Sequence, residues 1–531
     1  MFYITFVVSL TLMMMRCYWL ASGGNMQRAQ AVTGGREREL TLYKTKGIIY
    51  DENMQKLAGG QKCWYMIVNP RDFDRNRLDE LIVYSGAERE TLLKKLKKET
   101  PFVLISKNQP EEMPGVYLEE GFCRYSDVAK HLIGYLDQAG EAGLAGVEKE
   151  YDAYLNLFTN EVKATYFADA VQGALGGLGI TVSEQQQTEN GVVLNLNRDL
   201  CTALEASMER YISSGAAVIM DCETGALKAV CSAPDYDEAI ISDYLNSDGG
   251  ELYNRAFGAQ AVGSVFKVIV AACALEQGME DFSYCCGGGI QIDEWVFACH
   301  QHTGHGEIGL QAAFSESCNS YFIALGQMLG YDTIIDMAER FGFGQELEVL
   351  GEIKGAAGNL PKNEGALALA NLSIGQGALT ASPLQVAVMT AVIANGGVLP
   401  SVSLDKGIYI DKTFYPQEMK AGKRILEESV AKELQAYCIY TVEEGTGKNA
   451  RPQTGSAGGK TASAQTGIVV DGVEKLNVYF TGFYPAENPR YAITVFAEDG
   501  VSGGKTCAPV FREICDFIAE NDLTERETVV Y

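Results

Sequence analysis

Apolar residues crowd the start of the chain, where residues 2–15 are followed by Arg16 and then by a second apolar group over 17–21. Together they are long enough to span a bilayer, with Tyr18 and Trp19 suited to its interface and Arg16 placed to snorkel near the outer one. No Lys or Arg precedes the run, so its orientation is unmarked. The alternative is a cleaved leader with Ala29-Gln30-Ala31 as its processing site. A polar stretch over 23–39 reads as a linker. Beyond it, short apolar segments predict strands over 47–50, turning at Asp51-Glu52-Asn53, over 61–68 and over 102–106. Residues 78–98 carry helical periodicity with a solvated, mixed-charge face. Glycine-punctuated segments at 131–135 and 143–151 lead into a helix to Leu157, and the glycine-dense 173–179 predicts a turn.

From residue 191 the elements lengthen. A strand is expected over 192–196, then a helix over 200–213 with Asp199 as its N-cap. Two apolar segments, 216–220 and 226–231, joined by a turn ending at Gly225, predict a β-hairpin. Residues 268–275 form an almost unbroken apolar run closed by Gly278, the pattern of a buried helix. Further helices are expected over 310–399, strands over 478–482 and 491–497 joined at Asn488-Pro489, and a last helix over 508–521. Strands at both ends with helices between them imply an antiparallel sheet packed on helices, an α+β fold. With 531 residues the chain is too long for one ordinary core. The expected division is a transmembrane anchor over 1–21, an N-terminal mixed α+β domain over 22–190 and a C-terminal domain over 191–531.

Composition changes this picture mainly by exclusion. The formal net charge of −26 argues against a nucleic-acid partner, which would call for a basic patch or stripe. Among the 14 cysteines, Cys231, Cys273, Cys438 and Cys515 sit in apolar patterns, where a free thiol behaves as a small hydrophobe. Most cysteines therefore point to surroundings that are not strongly oxidising. Three of the four histidines fall in Cys299-His300-Gln-His302-Thr-Gly-His305, which matches no standard zinc spacing and reads as a polar turn. No metal and no cofactor are expected.

Three short motifs carry the chemistry. Ser264 and Lys267 flank Val-Phe at the head of the apolar run, one helical turn apart on one face. An amine buried beside a hydroxyl can lose its proton and activate that hydroxyl as a nucleophile. Ser-x-x-Lys also occurs on solvated helix faces, but such a face does not continue into eight apolar residues. Ser317-Cys318-Asn319 lies between the expected helices over 309–314 and 321–329, where small polar residues usually serve as caps. Lys460-Thr461-Ala462-Ser463 follows a glycine run at 455–459. It reads either as a plain loop or as a strand edge holding a substrate carboxylate, with a backbone N–H aimed at an oxyanion.

In that order, S-x-x-K, S-x-N and K-T-x are the signature set of penicillin-binding proteins and serine β-lactamases. The chain resembles a class B penicillin-binding protein, a monofunctional peptidoglycan D,D-transpeptidase. Supporting context comes from Tyr253-Asn-Arg-Ala256, Gly304-His305-Gly306, Ile374-Gly-Gln-Gly377, Ser382-Pro-Leu-Gln385 and Phe480-Thr-Gly-Phe-Tyr-Pro485. Gly47-Ile-Ile-Tyr-Asp51 and Gly143-Leu-Ala-Gly-Val-Glu148 are similar to the family's pedestal domain.

The resemblance implies a transpeptidase fold on a pedestal, anchored in the cell membrane with the catalytic domain outside. It implies that Ser264 attacks a D-Ala-D-Ala stem peptide and forms an acyl-enzyme. Lys267 would take the proton, Ser317 relay it and Asn319 orient Lys267 and substrate. Lys460 and Thr461 would hold the terminal carboxylate, and the N–H groups of Ser264 and Ser463 would form the oxyanion hole. β-Lactams would acylate Ser264, and a membrane glycan polymerase is the implied partner. A disulfide between Cys286 and Cys299 is also implied, with Cys285 as competing partner. Three departures stand out. Ala462 replaces the usual glycine, and its methyl is expected to crowd a strand close to the substrate and to alter turnover or β-lactam affinity; Ser463 replaces the usual threonine and Val262 the common proline. Two other readings remain: a D,D-carboxypeptidase or β-lactamase, in which water resolves the acyl-enzyme, and a catalytically silent scaffold or β-lactam sensor. No convincing deacylating glutamate is visible.

Overall fold

The computed structural model describes residues 2–21, 37–137, 140–168, 180–183, 188–238, 241–245, 247–470 and 472–524. Most of the expected linker, the Ala29-Gln30-Ala31 site and the glycine-dense 173–179 lie outside them. The chain divides into two compact units that interleave along the sequence. One comprises 1–47, 59–124 and 156–188, and the other 48–58, 125–155 and 189–531. A single cut near Gly191 therefore does not describe the division. Strand pairing is the reason: Ile48–Tyr50 runs parallel to Gly191–Leu194, with Ile49 opposite Val192, and antiparallel to Lys56–Ala58. Asp405–Ile410 and Thr413–Pro416 complete this five-stranded sheet, so a short early segment finds its backbone partners in the late part of the chain.

The first unit opens with the helix Phe2–Ala21, whose side chains from Thr5 to Arg16 are exposed. Among the described residues no helix is long and apolar enough to cross a membrane, and several side chains of the expected span fall outside them. The end of the expected linker is a strand instead, Glu37–Thr45, paired with Asn160–Phe167. A second sheet is built from Gln61–Val68, Phe102–Ser106 and Val116–Cys123. The periodicity over 78–98 resolves into two helices, Leu78–Ser85 and Arg89–Lys97, and Leu81, Leu92 and Leu96 pack with Met66 and Val68 of the second sheet. Cys63 and Cys123 form a disulfide across that sheet, a pairing the sequence reading did not anticipate.

The second unit is organised on a five-stranded antiparallel sheet. Its strands are β1 (Gly215–Asp221), β2 (Leu227–Ala233), β3 (Gly458–Val470), β4 (Val473–Tyr484) and β5 (Tyr491–Ala497), in the order β2-β1-β5-β4-β3. The expected hairpin is β1–β2, with Gly215 opposite Ala233. Its turn is held by Asp221 Oδ1, which accepts from the N–H groups of Glu223 and Thr224 at 3.0 and 2.8 Å. Among its helices are α1 (Arg198–Tyr211), α2 (Lys267–Glu276), α3 (Asn319–Leu329), α4 (Pro383–Ala394), α5 (Glu428–Glu443) and α6 (Ala508–Glu520). Asn197, not Asp199, caps α1: its Oδ1 accepts from Leu200 N–H at 3.0 Å. Asp199 lies inside the first turn, where its charge still suits the helix N-terminus.

Neighbouring residues of β4 show how the sheet is covered. Thr481 Oγ1 is 2.6 Å from Thr390 Oγ1 of α4. A Cβ on Gly482 would lie 3.0 Å from the Phe511 ring of α6. Successive strand residues face opposite sides, so α4 and α6 cover opposite faces of an α+β sandwich. Helix α4 is buried along its whole length, and Ser382 and Gln385 close a capping box at its start. The Gln385 amide then donates to the carbonyls of Gly342, Gln345 and Ala357 at 3.0–3.1 Å. The motif Ser382-Pro-Leu-Gln385 thus anchors a core helix.

Candidate active site

Ser264 sits in a tight 3₁₀ turn, Gly263–Phe266, that runs into α2, so Lys267 is the first residue of the helix proper. Val265 and Phe266 are buried while Ser264 is half-buried, which leaves its hydroxyl reachable. The turn depends on two glycines. Gly263 has φ +60°, and its N–H donates to the Gly375 carbonyl at 3.0 Å. A Cβ on Gly375, itself at φ +73°, would lie 1.9 Å from the Gly263 carbonyl oxygen, so a side chain there would push the turn out of place. On its other side the turn lies against β3, because a Cβ on Gly263 would be 3.1 Å from both Ser463 C and Ala464 N.

Lys267 is fully buried. Its Nζ donates to the Ser317 carbonyl at 2.7 Å and to Asn319 Oδ1 at 2.7 Å, and stands 3.2 Å from Ser317 Oγ. Asn319 presents its oxygen here because its Nδ2 donates to the Ala298 carbonyl at 3.2 Å. Burial holds the Lys267 amine well below its ordinary 10.5, and the charge of Lys460 pushes the same way. A neutral amine has two N–H groups and one lone pair. The two carbonyl-type acceptors at 2.7 Å match the N–H groups, leaving the lone pair for a hydroxyl proton. Ser317 adopts φ +54° at the junction before α3, a left-handed conformation that turns both its carbonyl and its hydroxyl toward Lys267.

Lys460, Thr461, Ala462 and Ser463 lie on β3, opposite Thr481, Phe480, Tyr479 and Val478 of β4. The plain-loop alternative is therefore replaced by a strand. Because Lys460 pairs with Thr481, it is on the α4 side of the sheet. Its Nζ donates to the Thr461 carbonyl at 2.9 Å and stands 5.7 Å from the centre of the Phe314 ring. Burial pushes its amine down to about 7. Thr461 Oγ1 bonds Thr446 Oγ1 at 2.6 Å, and the Thr446 hydroxyl and N–H reach the Ser315 carbonyl at 3.2 Å. The methyl of Ala462 is 3% exposed and belongs to the main apolar cluster.

Two contributors were not singled out from sequence. Gln376 Nε2 donates to the Ser463 carbonyl at 3.4 Å, and its Oε1 accepts from Gln465 N–H at 3.3 Å. The loop that pins Gly263 is thereby also fastened to β3 beside Ser463. Thr446, which fastens Thr461 to the segment before Ser317, is the other. Gln376 falls within Ile374-Gly-Gln-Gly377, a stretch that supports the family resemblance without giving this side chain a role, and nothing in the local pattern around Thr446 marks it.

The implied pairing of Cys286 with Cys299 is not formed: both thiols are free, and so is the exposed Cys285. Cys286 ends the strand Ser283–Cys286 and Cys299 follows the strand Trp295–Ala298. There Cys299 Sγ faces His305 Nδ1 at 3.6 Å and Cys318 Sγ at 3.9 Å instead.

The family model for the penicillin binding protein transpeptidase domain matches residues 215–516, the stretch that carries all three motifs. The chain belongs to this family. It is a class B penicillin-binding protein with a serine-type acyltransferase domain. Peptidoglycan D,D-transpeptidase MrdA of Haemophilus influenzae is 25% identical over 93% of this chain and 87% of its own length. Stage V sporulation protein D of Bacillus subtilis is 28% identical over 90% of this chain and 78% of its own. Among solved structures, a D,D-transpeptidase domain of a peptidoglycan glycosyltransferase from Eggerthella lenta superposes with a TM-score of 0.65 at 22% identity. It covers 91% of this chain and 100% of that one. The penicillin-binding protein PBP2 of Helicobacter pylori, solved in complex with MreC, gives the same score and identity over 92% and 100%.

Proposed function

We infer that this penicillin-binding protein is a peptidoglycan D,D-transpeptidase that works through an acyl-enzyme on Ser264. The observation that carries the reading is the buried Lys267 amine, whose two N–H groups are occupied by Ser317 and Asn319 one turn from the Ser264 hydroxyl. In the forward step Ser264 Oγ attacks the carbonyl of the penultimate D-alanine, and its proton passes to Lys267. The amide bond to the terminal D-alanine breaks, and the Ser317 hydroxyl relays the proton to the departing amine. The substrate carboxylate is held by Lys460 and Thr461, and the tetrahedral oxyanion by the N–H groups of Ser264 and Ser463. An amine from a neighbouring stem peptide then attacks the ester, closing a new amide and returning the proton to Ser264. A β-lactam enters by the same attack, with its ring amide as the bond that opens.

The reading includes the helix Phe2–Ala21 as a membrane anchor with the catalytic unit outside the cell membrane, a pedestal role for the first unit and a glycan polymerase as partner. The discriminating experiment supplies glycan strands bearing pentapeptide stems and resolves the products by mass spectrometry. Cross-linked muropeptides with release of D-alanine are expected. Release of D-alanine without cross-links would replace this reading with a carboxypeptidase.

A further inference from the structure

Behind Ser317 and Asn319 lies a cluster that the reaction does not use. Cys286, Cys318 and the pair Cys299 and His305 come from three stretches of the chain, yet their ligand atoms all lie within 4.8 Å of one another. The three cysteines are buried, at 2%, 1% and 0% exposure, and all three are free thiols. We propose that these four side chains bind one Zn²⁺ that clamps the Ser317-Cys318-Asn319 turn.

The geometry suits that ion. Tetrahedral zinc with sulfur at about 2.3 Å has ligand-to-ligand edges of about 3.8 Å. Cys299 Sγ is 3.9 Å from Cys318 Sγ and 3.6 Å from His305 Nδ1. Three buried thiols and one half-buried imidazole form a structural zinc set. His300, His305 and Glu316 make a second grouping, but its members are exposed or half-buried and it has no sulfur. The spacing hid the site because its ligands are brought together by pairing of Ser283–Cys286 with Gly306–Gly309, Cys286 opposite Gly306, and by the start of α3.

Cys318 ties the cluster to the chemistry. Its neighbours on either side supply both acceptors of the Lys267 amine. A metal bond to Cys318 would fix that turn, so the four ligands are positioning residues for Lys267. Misplacement of about 1 Å can cost about 10²-fold in rate.

The test uses the full chain, purified under reducing conditions. Elemental analysis should find one zinc per chain. Exchange for Co²⁺ should give the intense visible bands of a tetrahedral ion with thiolate charge transfer. Cys299→Ser should lose stoichiometric metal and those bands, while Cys285→Ser, which alters the exposed neighbour outside the tetrad, keeps both. Chelation should slow acylation by a β-lactam about 10²-fold, with recovery on adding Zn²⁺. Wild type that takes up neither metal yet still reacts with a fluorescent penicillin overturns the site, as does a disulfide among these cysteines in its place. Metal bound with acylation unchanged by its removal overturns the clamp. The metal readouts do not depend on transpeptidation, so they fail separately from the proposed function.

Discussion

Lys267 Nζ lies 2.7 Å from Asn319 Oδ1, and the same nitrogen lies 2.7 Å from the Ser317 carbonyl. A buried amine in this setting has its charge suppressed and its direction fixed, the two conditions a general base needs. Lys267→Ala should therefore lower the rate of β-lactam acylation by about 10²–10⁴-fold, while circular dichroism and the unfolding transition stay close to wild type. Loss of the folded state in this variant would show that the amine serves packing instead.

The two buried lysines set opposite limbs of the pH profile. Lys267 must be neutral to accept a proton, so acylation should fall as pH drops through its lowered pKa. Lys460 must be charged to hold a carboxylate, so KM for a stem peptide should rise as pH climbs above about 7. Stability carries the same information. The folded-state value of Lys460 lies below 10.5, its ordinary value, so the unfolded chain binds more protons between about 7 and 10.5. Unfolding free energy should then rise with pH across that window. Denaturant titrations of Lys460→Met should lose that component of the slope.

Thr446 and Gln376 test the supports of β3. Thr446→Val leaves the Thr461 hydroxyl without its 2.6 Å partner and should raise KM about tenfold, the equivalent of about 1.4 kcal/mol. Gln376→Ala frees the Ser463 carbonyl and should lower the acylation rate more than it changes KM. Equal effects on both constants would mark Gln376 as structural.

Ala462 gives a sharper contrast with the expectation from sequence. Read as a methyl crowding a strand close to the substrate, it would alter turnover or β-lactam affinity. Its burial among core side chains places its effect on stability instead. Ala462→Gly should cost about 0.5–1 kcal/mol of stability and shift β-lactam acylation by less than about threefold. A large gain in rate would restore the crowding explanation.

Legibility followed the range of the interactions involved. The buried helix after Lys267 was plain, because eight apolar residues in sequence report a local environment. The β1–β2 hairpin was plain for the same reason, since its turn and both strands are contiguous. Pairing of Ile48–Tyr50 with Gly191–Leu194 leaves no local trace, so the interleaved units were read as two consecutive domains. Asn197 and Asp199 are both good caps, and which one closes α1 depends on a single hydrogen bond to Leu200. The cysteines misled in two directions. A pair 60 residues apart, Cys63 and Cys123, is bonded, while Cys286 and Cys299, the pair that the family resemblance implies, remain free thiols.

The central claim is that Ser264 is the acylated nucleophile. Intact protein should be incubated with a fluorescent penicillin, digested, and its labelled peptide sequenced by mass spectrometry beside Ser264→Ala. The account predicts one adduct on Ser264 that persists over the labelling time and is absent from the variant. Label retained by Ser264→Ala, or found on another serine of the wild type, would contradict it.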